Sequence, residues 1–173
     1  MRIRKAVAAD TARIAEIMRD SMAALGTRYY GEQQIRSAVE HIAVIDPMLI
    51  DDGTYFVVED ESSIIACGGW SRRAKLFTGV GSTDPRLLDP KREPARVRAM
   101  FVAPSYARRG VGRLILDTCE AAARDEQFEK MELMATLPGE PLYAACGYAV
   151  AERVEITLPD GVRLACAKME KTL

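Results

Sequence analysis

A single mixed α/β domain is the fold class this sequence predicts, with one parallel strand pair inside an otherwise mostly antiparallel sheet. Three observations carry it. The first is an apolar run, Val97-Arg98-Ala99-Met100-Phe101-Val102, that stops at Pro104 and passes through the basic glycine loop Arg108-Arg109-Gly110-Val111-Gly112-Arg113 into a helix. That helix sets Val111, Leu114, Ile115, Thr118, Cys119 and Ala122 on one stripe at i, i+3, i+4, i+7 spacing. The second is a further strand, Lys130 to Thr136, after the helix; a strand–helix–strand passage takes a right-handed crossover and leaves its two strands parallel. The third is that turn signals join the neighbouring strands as antiparallel hairpins, Asp60-Glu61-Ser62-Ser63 and Pro159-Asp160-Gly161.

In chain order, Ile3 to Val7 reads as the first strand. Asp10 is an N-cap residue for a helix with Ile14, Ile17, Met18, Met22 and Leu25 on one face, and Gly26 suits its end. A basic and aromatic loop follows, Thr27-Arg28-Tyr29-Tyr30-Gly31. A second helix carries Ile35, Val39, Ile42 and Ile45, and Asp46-Pro47 ends it. Tyr55 to Glu59 and Ile64 to Trp70 form a hairpin. Ser71 to Pro94 is irregular and long, and such loops inside a compact domain are often functional. After the strand–loop–helix–strand unit, Pro138-Gly139-Glu140-Pro141 introduces a short helix, Leu142 to Cys146. Tyr148 to Leu158 and Arg163 to Glu170 are the last strands. The predicted order is β-α-α-β-β-β-α-β-α-β-β.

Bulk numbers narrow the function classes. At 173 residues the chain forms one domain, 1–173, with a full core. Lys plus Arg is 24 against Asp plus Glu 25, so the basic excess of a nucleic-acid binder is missing. No apolar run approaches the roughly 18 residues of a membrane span, and the N-terminus lacks the apolar stretch of a signal peptide. Cys67, Cys119, Cys146 and Cys166 form no CxxC pair and accompany a single histidine, so no metal site is expected. They read as buried free thiols in a cytoplasmic protein.

The chemistry concentrates at Arg108–Arg113. A strand turning through glycines into a helix N-terminus leaves backbone N–H groups unpaired at the positive end of the helix dipole, and three arginines add charge. That combination suits a phosphate. A P-loop would need GxxxxGK[ST], which does not occur. A Rossmann fingerprint would need a small residue where Ile115 stands.

The stretch VAPSYARRGVGRLIL resembles the acetyl-CoA-binding motif of the GNAT acetyltransferase superfamily, [QR]-x-x-G-x-[GA], with Ala107 at the first position. Pro141-Leu142-Tyr143-Ala144-Ala145-Cys146-Gly147-Tyr148 is similar to that family's FYxxxGF segment, and the element order matches along nearly the whole chain. The resemblance implies a sheet of about seven strands flanked by four helices. It also implies that the parallel strands 97–102 and 130–136 splay around the pantetheine arm. Met100, Phe101 and Val102 would then bind the pantetheine amides, and an N–H at Met100 or Phe101 would face the thioester oxygen as an oxyanion hole does. Arg108, Arg109, Gly110, Val111, Gly112 and Arg113 would hold the pyrophosphate, and Tyr143 would be the acid that protonates the departing thiolate.

No base stands out: the strand before the loop holds Arg96 and Arg98, Glu132 lies on the partner strand, and His41 sits on the second helix. Acceptor recognition is expected from the two irregular segments, with Tyr29, Tyr30, Trp70, Arg72 and Arg73 as candidates. The expected activity is direct transfer from acetyl-CoA to a primary amine of a small molecule or peptide. The rival functions are an acyl-CoA-sensing module without turnover and an NAD(P)-binding oxidoreductase. The terminal strands could expose an edge that pairs with a second copy, as a homodimer.

Overall fold

The computed structural model of the protein describes residues 1–77 and 86–173. Its strands are β1 (Arg2–Lys5), β2 (Tyr55–Asp60), β3 (Ser63–Ser71), β4 (Ala95–Val102), β5 (Lys130–Thr136), β6 (Ala149–Thr157) and β7 (Arg163–Thr172). They form one sheet of seven strands in the order β1-β2-β3-β4-β5-β7-β6. Every pairing is antiparallel except β4 with β5. The β2–β3 turn places Glu61 and Ser62 at φ 47° and 70°, the two left-handed central residues that let a tight hairpin follow the twist of its strands.

Helices α1 (Thr11–Leu25), α2 (Glu32–His41) and α3 (Pro47–Asp51) cover one face, and α4 (Val111–Asp125) and α5 (Glu140–Ala145) the other. Alternation along each strand feeds both layers: Tyr55 and Val57 pack with Ile14, Ile17, Met18 and Leu49, while Phe56 and Val58 pack with Ile115, Leu116 and Cys119. A sheet covered on both faces explains why β2 and β3 are nearly continuous apolar runs. All four cysteines are free and buried. No described helix is long and apolar enough to cross a membrane.

Four local expectations change. There are five α-helices among the described residues, because Asp46-Pro47 begins a helix rather than only ending one. The Asp46 carboxylate accepts the Met48 N–H at 3.2 Å with Pro47 in the first turn, the usual chemistry of a helix start. Asp10 does not cap α1. Its carboxylate binds the Arg4 guanidinium at 2.7 and 2.9 Å and the Val7 N–H at 2.8 Å, tying β1 to the turn before the helix. On α4 the buried stripe runs Val111, Ile115, Leu116, Cys119 and Ala123, and Leu114 is exposed. Glu120 joins this stripe because Lys171 neutralises its carboxylate at 2.7 and 2.8 Å. Finally, β7 lies between β5 and β6, so of the two terminal strands only β6 is an edge.

Candidate active site

The parallel pair is where the sheet opens. β4 and β5 are in register only at Ala95↔Met131 and Arg96↔Glu132; beyond these pairs the strands separate. Glu132 fastens the closed end, accepting from Arg96 and bridging to Lys168 at 2.7 Å. From Val97 to Val102 the β5 side of β4 therefore offers its main-chain groups to a cleft. A carboxylate held between two cations is an anchor, which is the role the structure gives Glu132.

Beside the cleft, Gly110 sits at φ +81° as the residue that starts α4. Arg108 is also left-handed, at φ 64°. At this helix entry the Leu114 N–H donates to the Gly110 carbonyl at 3.0 Å. The N–H groups from Arg108 to Arg113 have no acceptor among the described residues. Arg108 and Arg109 are exposed; the Arg109 guanidinium lies 5.3 Å from the Tyr106 ring centroid, and Tyr106 in turn donates to Asp60 at 3.0 Å. Arg113 donates to the Ala145 carbonyl at 2.8 Å, joining α4 to α5. Gly112 lies close under α5: a Cβ there would sit 2.8 Å from Leu142 Cδ2 and would push that side chain aside. Met100, Phe101, Val102 and all of Arg108, Gly110, Val111, Gly112 and Arg113 line one groove of about 350 Å³.

The floor of the groove is shaped by a bulge in β4. Cys67 faces Phe101 and Gly69 faces Arg98, so the step on β4 is longer than the step on β3. Ala99 absorbs the extra residue at φ 50°, a left-handed value that costs a residue with a Cβ about 1–2 kcal/mol. Its carbonyl accepts the hydroxyl of Tyr55, a fully buried β2 residue, at 2.8 Å. Tyr55→Phe is expected to cost about 1 kcal/mol in urea unfolding at unchanged m-value. An unchanged midpoint would show that the bulge does not depend on this bond.

A second cavity of about 100 Å³ adjoins the groove, sharing Met22, Met100, Phe101, Thr136 and Gly139 with it. Its other walls are Ile42, Leu76, Phe77, Ala99, Met134, Ile156 and Cys166, together with Arg98 and Tyr143. The Arg98 guanidinium is buried and donates to Asp46 at 2.9 Å and to the Lys75 carbonyl at 3.0 Å. Lys75 also bridges to Asp46 at 3.1 Å. Burial lowers the Arg98 pKa against the opposing charge of Asp46. Burial alone would raise Asp46, yet Lys75 and Arg98 outweigh it and hold the carboxyl below its usual range.

Tyr143 belongs to the α4-side core, with its ring edge-on to Tyr148 at 5.9 Å, and it also borders this second cavity. Its hydroxyl has no hydrogen-bond partner among the described residues, and burial raises its pKa well above the ordinary phenol value.

The acceptor candidates do not gather here. Trp70 is 1% exposed and packs edge-on against Phe128 at 6.0 Å, so it is a core residue rather than a substrate contact. Arg72 stacks on that indole and bridges to Glu126 at 3.0 Å, away from both cavities. Arg73 grips Asp52 at 2.7 Å. Tyr30 is buried, donating to the Ala165 carbonyl at 2.7 Å and accepting the Leu137 N–H at 2.8 Å. Tyr29 is exposed and lines neither cavity. His41 lies 3.7 Å from Asp160 and also lines neither. Of the irregular stretch from Ser71 to Pro94, residues 78–85 lie outside the described residues. Its flanks are tied together by Ala74 to Arg86 at 2.9 Å and Leu88 to Arg72 at 2.8 Å, and Leu76 and Phe77 reach the second cavity. Among the described residues no group of three or more His, Cys, Asp or Glu side chains is placed to hold a metal ion.

Comparison with known proteins agrees with this architecture. The family model of the acetyltransferase (GNAT) domain matches residues 51–150, more than half of the chain. No curated protein matches the chain in sequence. Among solved structures, a GCN5-related N-acetyltransferase from Rhodopseudomonas palustris superposes with TM-score 0.77 at 20% identity, over 99% of this chain and 95% of that one. The PaiA N-acetyltransferase of Thermoplasma acidophilum, solved with coenzyme A, gives 0.69 at 15% identity over 99% and 98%. YncA of Salmonella typhimurium, a putative acetyltransferase solved with acetyl-CoA, gives 0.66 at 19% identity over 100% and 94%. At these identities the structures speak for the fold, and the matching domain model speaks for the family. With its seven-stranded sheet open between β4 and β5 and the glycine loop at the start of α4, this chain belongs to the GNAT acetyltransferase family.

Proposed function

We propose that the protein is an N-acetyltransferase that moves an acetyl group from acetyl-CoA directly to a primary amine while both substrates are bound. The observation that carries this reading is the adjacency of three features along the cleft. A loop of unpaired N–H groups, an unpaired strand edge and an apolar cavity adjoin one another, the groove and the cavity sharing lining residues. Each suits one part of the reaction: the Arg108–Arg113 N–H groups hold a pyrophosphate, Met100 to Val102 pair with the amides of an extended arm, and the cavity takes the acceptor. Main-chain N–H groups near Met100 and Phe101 stabilise the charge that develops on the thioester oxygen. Tyr143 donates a hydrogen bond to the sulfur as the C–S bond breaks.

The test combines calorimetry with a thiol-release assay over a panel of small-molecule and peptide amines. Acetyl-CoA binding together with amine-dependent CoA release is expected. Tight binding without release from any amine would favour an acyl-CoA-sensing module. Binding of NAD(P) and not of CoA would sink both readings.

A further inference from the structure

Resting on the transferase reading, we infer that the acceptor is a primary amine carried on a small, uncharged, apolar body. The cavity beyond the oxyanion position is walled by Met22, Ile42, Leu76, Phe77, Met134 and Ile156, contributed by segments far apart in the sequence. Its volume of about 100 Å³ is somewhat smaller than the engineered cavity of about 150 Å³ that admits benzene. A short alkyl chain or one compact ring fills it.

Charge at its edge excludes the commoner polar amines. Arg98 in the wall and Lys75 behind it are both cations held on the Asp46 carboxylate, so a second ammonium group on the acceptor approaches like charge. An acceptor carboxylate fares no better, because Arg98 is already engaged by Asp46 and by the Lys75 carbonyl, and a carboxylate gives up its hydration against mostly apolar walls. The same surroundings favour the neutral form of the reacting amine: apolar walls desolvate an ammonium, and the guanidinium repels it. The amine then attacks as its free base. The C–N bond forms, the C–S bond breaks, and the proton shed by nitrogen passes to the CoA sulfur, giving an N-substituted acetamide and CoA thiol. No side-chain base is required.

The experiment compares kcat/KM for butylamine and benzylamine with that for spermidine and β-alanine, using acetyl-CoA and thiol release. The apolar monoamines are expected to exceed both others by about tenfold or more. Leu76→Glu, which alters only the second cavity, should remove that preference while the calorimetric Kd for acetyl-CoA stays the same. Preference for spermidine or β-alanine would overturn the acceptor class and leave the transferase reading standing. Better use of hexanoyl-CoA than of acetyl-CoA would overturn it too, since the cavity would then belong to the acyl chain. Acetyl-CoA binding with no turnover of any amine would overturn both.

Discussion

Tyr143→Phe is expected to lower kcat about 100-fold while leaving the Kd for acetyl-CoA and the melting temperature nearly unchanged. The hydroxyl has no partner among the described residues, so removing it breaks no internal bond, and phenylalanine keeps the edge-on contact with Tyr148. In the proposed reaction the chemistry does depend on it. A thiolate leaving group has a conjugate acid near about 8.5, and burial has moved the Tyr143 phenol upward from its usual value. Complete proton transfer from so weak an acid is uphill. The phenol therefore acts by holding its proton toward the sulfur while nitrogen supplies the proton that finally leaves with CoA. A raised pKa also fixes the sign of the pH dependence: the phenol stays protonated at and above pH 10, so Tyr143 gives no falling alkaline limb in the working range. The rise of kcat/KM with pH follows the free-base fraction of the acceptor amine instead. Steady-state kinetics over pH 6 to 10 with one apolar amine checks both points. Undiminished turnover in the variant would remove Tyr143 from the reaction.

The glycine loop and the parallel strand pair were legible in the sequence because their signals are local. Gly110 and Gly112 stand next to each other and to their arginines, and the strand–helix–strand order dictates the parallel pair whatever the rest of the chain does. Hairpin turns and alternating apolar residues placed β2, β3, β6 and β7 within one or two residues. The apolar cavity has no such grammar. Met22, Ile42, Met134, Ile156 and Cys166 supply one side chain each from separate segments, and nothing in their own surroundings marks them. Arg98 is a charge inside an apolar strand, but its partner Asp46 is 52 residues away and caps a helix of five residues, too short to show a period. Aromatic and basic residues in irregular segments misled for the opposite reason: Tyr30, Trp70 and Arg72 look like recognition residues until packing shows them tying elements together.

Trp70→Ala separates those two meanings. The variant is expected to lose about 3–5 kcal/mol of folding stability, the usual cost of emptying a large buried aromatic site. The indole is 1% exposed, contacts Phe128 edge-on and lies beneath the Arg72 guanidinium at 5.5 Å, so its loss opens a cavity between β3 and the end of α4 and strips Arg72 of its stacking surface. Tyr29→Ala, at an exposed ring, should change stability by no more than about 0.5 kcal/mol. Because Trp70 is the only tryptophan, urea unfolding must be followed by circular dichroism rather than fluorescence. Acetyl-CoA at about 100 times its Kd adds about 2.7 kcal/mol to any folded protein that binds it at one site. If Trp70 is purely a core residue, the variant gains the same increment as the parent, and its folded fraction turns over amines normally. Parent-like stability combined with a raised KM for the amine would instead return Trp70 to the acceptor site, against its burial and against the position of the apolar cavity.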